Sequence, residues 1–300
     1  MHTSPAPSST AAVADATTTE FEDRGYVVVP HTFTKADIAA MRATVAAAVH
    51  ARTTGTAPVG DRHIGPTTTR YAEQFTQCLN LWEDHPNVER IVRDPRLAAT
   101  AAKLLGVDCV RVFQDQALFK ASGGAPTYAH QDIAYWPMAS AECVTAWIPL
   151  SPTGSTLDTG AMGYVAGSHR SGHCVFADIA HVDDQAQLEA DEAALLAHPA
   201  WRGASPTYVE AEVGSVVWHH GRTVHRALPN VSGDPREVFT VVYFADGVVR
   251  GSVLPRASNV PHFVTDGPPP ERVAVGQPLA SARMPVVYDE KGHTPPRARL

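Results

Sequence analysis

The sequence predicts a mainly β protein with flanking helices, an α+β chain whose strands close into a sandwich or barrel. Two observations carry this. From Val107 onward, short runs rich in β-branched and aromatic residues are separated by Gly- and Pro-containing turns. Before Val107, apolar residues recur instead at helical spacing. With 300 residues, 44% of them hydrophobic and 18% charged, the chain can bury a sizeable core as one large domain or two small ones.

The elements follow in order. Residues 1–19 are rich in Ala, Ser, Thr and Pro, without a basic segment followed by an apolar core, and read as a disordered leader rather than a signal peptide. Gly25 to Pro30 reads as a first strand. Thr34 suits a helix N-cap, with Asp37 three positions on and Ile38, Met41, Val45 and Val49 as the apolar stripe of a helix to about Ala51. That helix should pack on the outside of a sheet. Thr53 to Thr69 is a Gly-, Thr- and Pro-rich loop, long enough to cover a site, and it holds Arg62 and His63 as surface residues or substrate contacts.

Leu79 to Leu105 reads as mostly helical, with Pro86 and Pro95 marking breaks or helix starts and Gly106 a C-cap. Strands are then expected over 110–118, 129–135, 143–150, 163–166, 215–220, 224–228 and 238–244. Between Gly167 and Thr207 an acidic insertion has Leu188, Ala193, Leu195 and Leu196 at helical spacing, either a wall of the substrate pocket or a solvated helix. Residues 266–300 read as a Pro-rich C-terminal extension.

The formal charge of −7 argues against nucleic acid or an anionic membrane surface as the main partner. Cys78, Cys109, Cys143 and Cys174 are dispersed, with no C-x-x-C, which suits reduced thiols in a cytoplasmic protein. No uninterrupted apolar run is long enough to span a bilayer. A small-molecule partner, a hydrophobic or amphipathic metabolite, is the default.

The most informative stretch runs from Tyr128 to Trp136. On an extended strand, His130 and Asp132 would point to one face and present an imidazole and a carboxylate to a common point. That is two thirds of the 2-His-1-carboxylate set that holds Fe(II) with open positions. A third ligand is available in Val217 to His225, which offers His219, His220 and His225. Beyond it, a turn through Pro229–Pro235 leads to Arg236 and an apolar run, Val238–Phe244. Two adjacent antiparallel strands would put His225 and Arg236 on neighbouring positions of one sheet. A buried arginine there needs an anion, and a dicarboxylate suits its planar fork.

His130-x-Asp132, His225 and Arg236, in that order, resemble the phytanoyl-CoA dioxygenase family of Fe(II)/2-oxoglutarate oxygenases. Phe21 to Pro30 is similar to its opening strand. Leu104-Leu105-Gly106, Gln114-Asp115-Gln116 and Lys120 resemble the approach to its His-x-Asp, and Gly160 with Gly167-Ser168-His169 its middle. The resemblance covers roughly 21–246 and implies a double-stranded β-helix (jelly roll) dioxygenase domain over 20–265, with the helical insertion at about 170–207. It also implies Fe(II), 2-oxoglutarate as cosubstrate and O2, with release of succinate and CO2 as a C–H bond is oxidised, usually by hydroxylation. Asp132 argues against halogenation, for which relatives carry a small residue instead.

By the resemblance, His225 is the third ligand and His219 and His220 are left to core or supporting hydrogen bonds. Arg236 would pair with the distal carboxylate of 2-oxoglutarate. Trp147 would pack against it, with Gln116 and Lys120 reaching in from one strand. Tyr135 and Trp136 would line the substrate side or fill aromatic core. Departures occur at Asp158-Thr159-Gly160, where the family often has Asn, and at Ala166, where it has Pro; both bear on loop geometry. The alternative is a cupin-like metal-binding protein, an isomerase or a non-catalytic binder, that has no use for Arg236.

Overall fold

The computed structural model describes residues 9–55, 75–177, 179, 182, 184–252 and 273–291. Helix α1 (Ser9–Arg24) precedes strand β1 (Tyr26–Val29). The second half of the expected leader is therefore helical. Helix α2 (Lys35–Thr53) starts at the capping box foreseen: Asp37 N–H donates to Thr34 Oγ1 at 3.1 Å and Thr34 N–H to Asp37 Oδ2 at 3.0 Å. Strand β2 (Phe75–Leu79) is followed by α3 (Pro86–Val92) and α4 (Pro95–Leu105). Each of these helices begins with Pro at its first position, and Gly106 closes α4 at φ 66°.

The remaining strands are β3 (Cys109–Lys120), β4 (Thr127–His130), β5 (Cys143–Pro149), β6 (Met162–Tyr164), β7 (Thr207–Val209), β8 (Val216–His220), β9 (His225–Ala227), β10 (Arg236–Ala245) and β11 (Val286–Asp289), with helix α5 (Gln185–Leu196) between β6 and β7. They form two antiparallel sheets. The larger runs β1-β8-β5-β10-β3, with β2 and β11 both paired to β3; the smaller runs β4-β9-β6-β7. From β3 to β10 the chain passes back and forth between the sheets, which makes the sandwich a jelly roll, as the resemblance implies.

Alternation along β10 sets the layers. Phe239, Val241 and Tyr243 face outward and join Ile38, Met41 and Val45 of α2 and Leu97, Ala101 and Leu104 of α4 in the main core. Each such side chain, fully buried, stabilises the fold by roughly 1.5–3 kcal/mol. Arg236, Val238 and Thr240 face inward. Register carries that inward face across the sheet: Arg236 opposes Lys120, Thr240 opposes both Gln116 and Trp147, Trp147 opposes Val217, and Thr145 opposes His219.

Three strands lie where none was expected: β2, β7 and β11. β2 and β11 are edge strands on β3, and β11 joins the sheet from the stretch read as a Pro-rich extension. All four residues of β11 are half-buried, so its apolar residues show no clean alternation.

Candidate active site

Register brings the first two histidines together. β4 pairs with β9 so that His130 and His225 are direct cross-strand neighbours, their ring centroids 4.2 Å apart. Asp132 arrives differently from what strand alternation predicts. β4 ends at His130, and Asp132 opens a 3-10 turn to Tyr135, fastened by Ile133 N–H to Gly221 O at 2.9 Å. The intervening Gln131 causes the departure. Its buried amide turns away from the site, donating to Arg222 O (2.6 Å) and His173 O (3.1 Å) and accepting from Val175 N–H (2.8 Å).

The result is a convergent donor set. Asp132 Oδ1 lies 3.6 Å from His130 Nε2 and 3.5 Å from His225 Nε2, and one ligand atom from each of the three residues fits within 4.8 Å. Both imidazoles are oriented by their other nitrogen. His130 Nδ1–H donates to Tyr128 O at 2.8 Å and His225 Nδ1–H to Thr223 O at 2.9 Å, which leaves each Nε2 lone pair free. Burial, followed by the neighbouring His130, pushes His225 well below the ordinary histidine range, so its ring is neutral. Burial opposes the charge of Asp132, but the polar surroundings supplied by His225, His130 and His219 outweigh it and hold the carboxyl well below its usual range. Asp132 Oδ2 accepts from Thr145 Oγ1–H and from His219 Nε2–H, each at 3.0 Å. This is the arrangement a divalent ion with bonds of about 2.0–2.2 Å to N and O requires.

Beside it, the inward face of the large sheet carries two buried basic side chains. Arg236 Nη1–H donates to Gly160 O at 2.6 Å, and its guanidinium carbon lies 5.7 Å from the centroid of the Trp147 ring. Lys120 Nζ donates to Leu228 O at 2.9 Å. Burial, then the charges of Arg236 and Arg226, lower Lys120 to about 6. Gln116, on the same face, accepts from Gln77 Nε2 at 2.8 Å.

One expectation fails on topology: His225 and Arg236 do not share a sheet. β9 belongs to the small sheet and β10 to the large one, so the Pro229–Pro235 turn is a crossing between layers. Tyr135 stands beside the donor set, edge-on to His130 at 5.9 Å and to Phe176 at 5.4 Å, its hydroxyl donating to Ala177 O. Trp136 turns the other way, into the cluster of Phe113 and Phe244. Arg62 and His63 lie outside the described residues.

Helix α5 of the insertion backs the small sheet. Leu195 and Trp201 pack with Ala129 and Val224, and Glu192 accepts Ala129 N–H at 2.7 Å while pairing with Arg226 at 3.1 Å. Of the insertion, Phe176 and Ala177 contact Tyr135, and His173 and Val175 hold Gln131. Thr145, Tyr164 and Gln131 were not singled out from sequence, although Gln131 sits between the two acidic and basic donors. Among the described residues no helix is long and apolar enough to cross a membrane.

The family model for phytanoyl-CoA dioxygenase matches residues 21–238. The chain belongs to that family. Among relatives of this family member, a probable alpha-ketoglutarate-dependent hypophosphite dioxygenase of Stutzerimonas stutzeri is 29% identical over 163 residues, covering 53% of each chain. An ectoine dioxygenase of Bordetella bronchiseptica is 28% identical over 208 residues, covering 66% of this chain and 63% of the relative. The aligned region thus spans between half and two thirds of those proteins. Among solved structures, the epimerase SnoN in complex with Fe3+, alpha ketoglutarate and nogalamycin RO superposes with a TM-score of 0.71 at 21% identity, covering 92% of this chain and 99% of SnoN. The carbocyclase SnoK from nogalamycin biosynthesis gives 0.66 at 23% identity, covering 94% and 99%. Those likenesses establish the jelly-roll fold for the family member.

Proposed function

We propose that this chain is a non-haem Fe(II)- and 2-oxoglutarate-dependent dioxygenase that oxidises an unactivated C–H bond of a small organic molecule, by hydroxylation in the default case. The observation that carries the proposal is the convergence of His130 Nε2, Asp132 Oδ1 and His225 Nε2, with each outward-facing partner atom already hydrogen-bonded. These three residues would hold Fe(II). When bound, the iron with 2-oxoglutarate and O2 supplies the oxidising chemistry, the cosubstrate leaving as succinate and CO2.

The chain's own residues do the positioning. Arg236 offers a fork to the distal carboxylate, Lys120 adds an amine beside it that a bound dianion would keep protonated, and Trp147 and Gln116 bound the same pocket. Tyr135, fixed through its hydroxyl, limits the space on the His130 side, where substrate would approach. A non-catalytic metal binder would gain nothing from two buried basic side chains facing each other, and this favours the oxygenase. The Ala-, Thr- and Pro-rich composition and the fold shared with two enzymes of nogalamycin biosynthesis support a role in bacterial secondary metabolism, in the cytoplasm.

The test is anaerobic addition of Fe(II) and then 2-oxoglutarate to the metal-free protein. A visible charge-transfer band should appear, and should be lost in His130→Ala and Asp132→Ala. Iron binding without the band would remove the cosubstrate from the proposal; no iron binding would remove the site itself.

A further inference from the structure

A fourth histidine touches the site without belonging to the donor set. His219 lies on β8, inward-facing and 2% exposed, between Tyr26 and Thr145 in the register of the large sheet. Its Nε2 is 3.0 Å from Asp132 Oδ2, and its Nδ1 is 3.3 Å from the hydroxyl of Tyr164. Tyr164 is itself immobilised, fully buried and stacked on Tyr26 with ring centroids 4.6 Å apart at 15°. A carboxylate oxygen can only accept, so the proton sits on His219 Nε2, and Nδ1 is left to accept from Tyr164 O–H. Oδ2 of Asp132 is thereby saturated by two donors, His219 and Thr145, while Oδ1 alone faces His130 and His225.

We infer that His219 is a positioning residue that keeps Asp132 a one-oxygen ligand. This rests on the proposed iron site. Three monodentate ligands on one face leave three coordination positions. A carboxylate that swung to bind through both oxygens would take one of those, and the chelating cosubstrate would then leave none for dioxygen. The hydrogen bond from His219 occupies Oδ2 and would keep it from a bound metal, and the Tyr164 contact holds the imidazole in the tautomer that can do so. Partners of this kind typically change metal affinity by about 10- to 100-fold when lost.

The experiment titrates Co(II) alone into the metal-free full-length chain, following the visible absorption of the bound ion. His219→Leu keeps most of the volume without the donor; His219→Gln keeps an N–H at comparable reach, so both share whatever the fold loses. The inference expects the visible band of bound Co(II) to change in position and intensity in the leucine variant, where both carboxylate oxygens can bind, with affinity altered by about 10- to 100-fold, and to keep its wild-type form and midpoint in the glutamine variant. His219→Phe, whose ring fills the same space, repeats the leucine arm should that variant not fold. A leucine variant with the wild-type band and midpoint, or a glutamine variant that behaves like leucine, overturns the inference while leaving the iron site standing. A wild-type chain that takes up no metal overturns both.

Discussion

Lys120 and Arg236 stand directly opposite each other across β3 and β10, and both side chains are buried. Burial first, and then the charges of Arg236 and Arg226, bring the lysine down to about 6 from its ordinary 10.5. At pH 7–8 the folded protein therefore holds this amine mostly neutral, while the unfolded chain holds it protonated. Between pH 6 and 10.5 the unfolded state binds more protons at this group, so its contribution makes the protein more stable as pH rises through that window. An arriving dianion reverses the balance and draws the proton back. Binding of 2-oxoglutarate at pH 8 should thus take up close to one proton. Calorimetry in buffers of different ionisation enthalpy measures it, and Lys120→Met should abolish it. Uptake unchanged in that variant would assign the proton elsewhere.

Arg236→Ala should leave metal affinity intact and weaken 2-oxoglutarate. A hydrogen bond to a charged group contributes about 1.5–3 kcal/mol, so the loss should be roughly 10- to 150-fold. Titration of the charge-transfer band with cosubstrate reads it. An unchanged midpoint would favour the metal-binding protein that has no use for this arginine.

Gly160 connects the loop to the same pair. Its carbonyl receives Arg236, its φ is +95°, and a Cβ there would meet Leu228 O at 2.7 Å, the carbonyl that receives Lys120. Gly160→Ala should destabilise by about 1–3 kcal/mol and weaken 2-oxoglutarate while sparing metal binding. Urea unfolding with the same band titration separates the two effects; wild-type cosubstrate affinity would show that the loop does not govern Arg236.

Gln131→Ala removes one acceptor and two donor contacts that fasten the His-x-Asp turn to Arg222, His173 and Val175. With buried partners left unpaired, stability should fall by about 2–4 kcal/mol. Metal affinity should fall with it, because Asp132 loses the anchor behind it. A destabilised variant with unchanged Co(II) binding would mean that the 3-10 turn holds Asp132 unaided.

Residue types and their order carried most of the fold and the donor set. The strands on either side of the site, the caps of α2 and α4 and the trio His130, Asp132 and His225 follow from alternation, capping chemistry and the family pattern. What escaped was decided by long-range pairing. The hairpin reading between His225 and Arg236 failed because a turn of this length can join two layers as readily as two neighbours. β2 and β11 are short edges whose burial shows no period. His219 was visible as a face-sharing candidate, but its donor role depends on Thr145 and Tyr164, from two other strands. Strand alternation gave Asp132 the right destination by the wrong route, since Gln131 and a 3-10 turn deliver it.

The passage of the chain between sheets has a mechanical consequence. His130 and His225 belong to the small sheet, whereas Lys120 and Arg236 belong to the large one. A cosubstrate chelated at one end and ion-paired at the other would act as a crossbar between two leaves whose shared core includes Tyr26, Trp147, Tyr164 and Val238. Its occupancy would set the gap between the leaves, so a methyl group added or removed in that seam, far from any reacting atom, would retune the reach from arginine to iron.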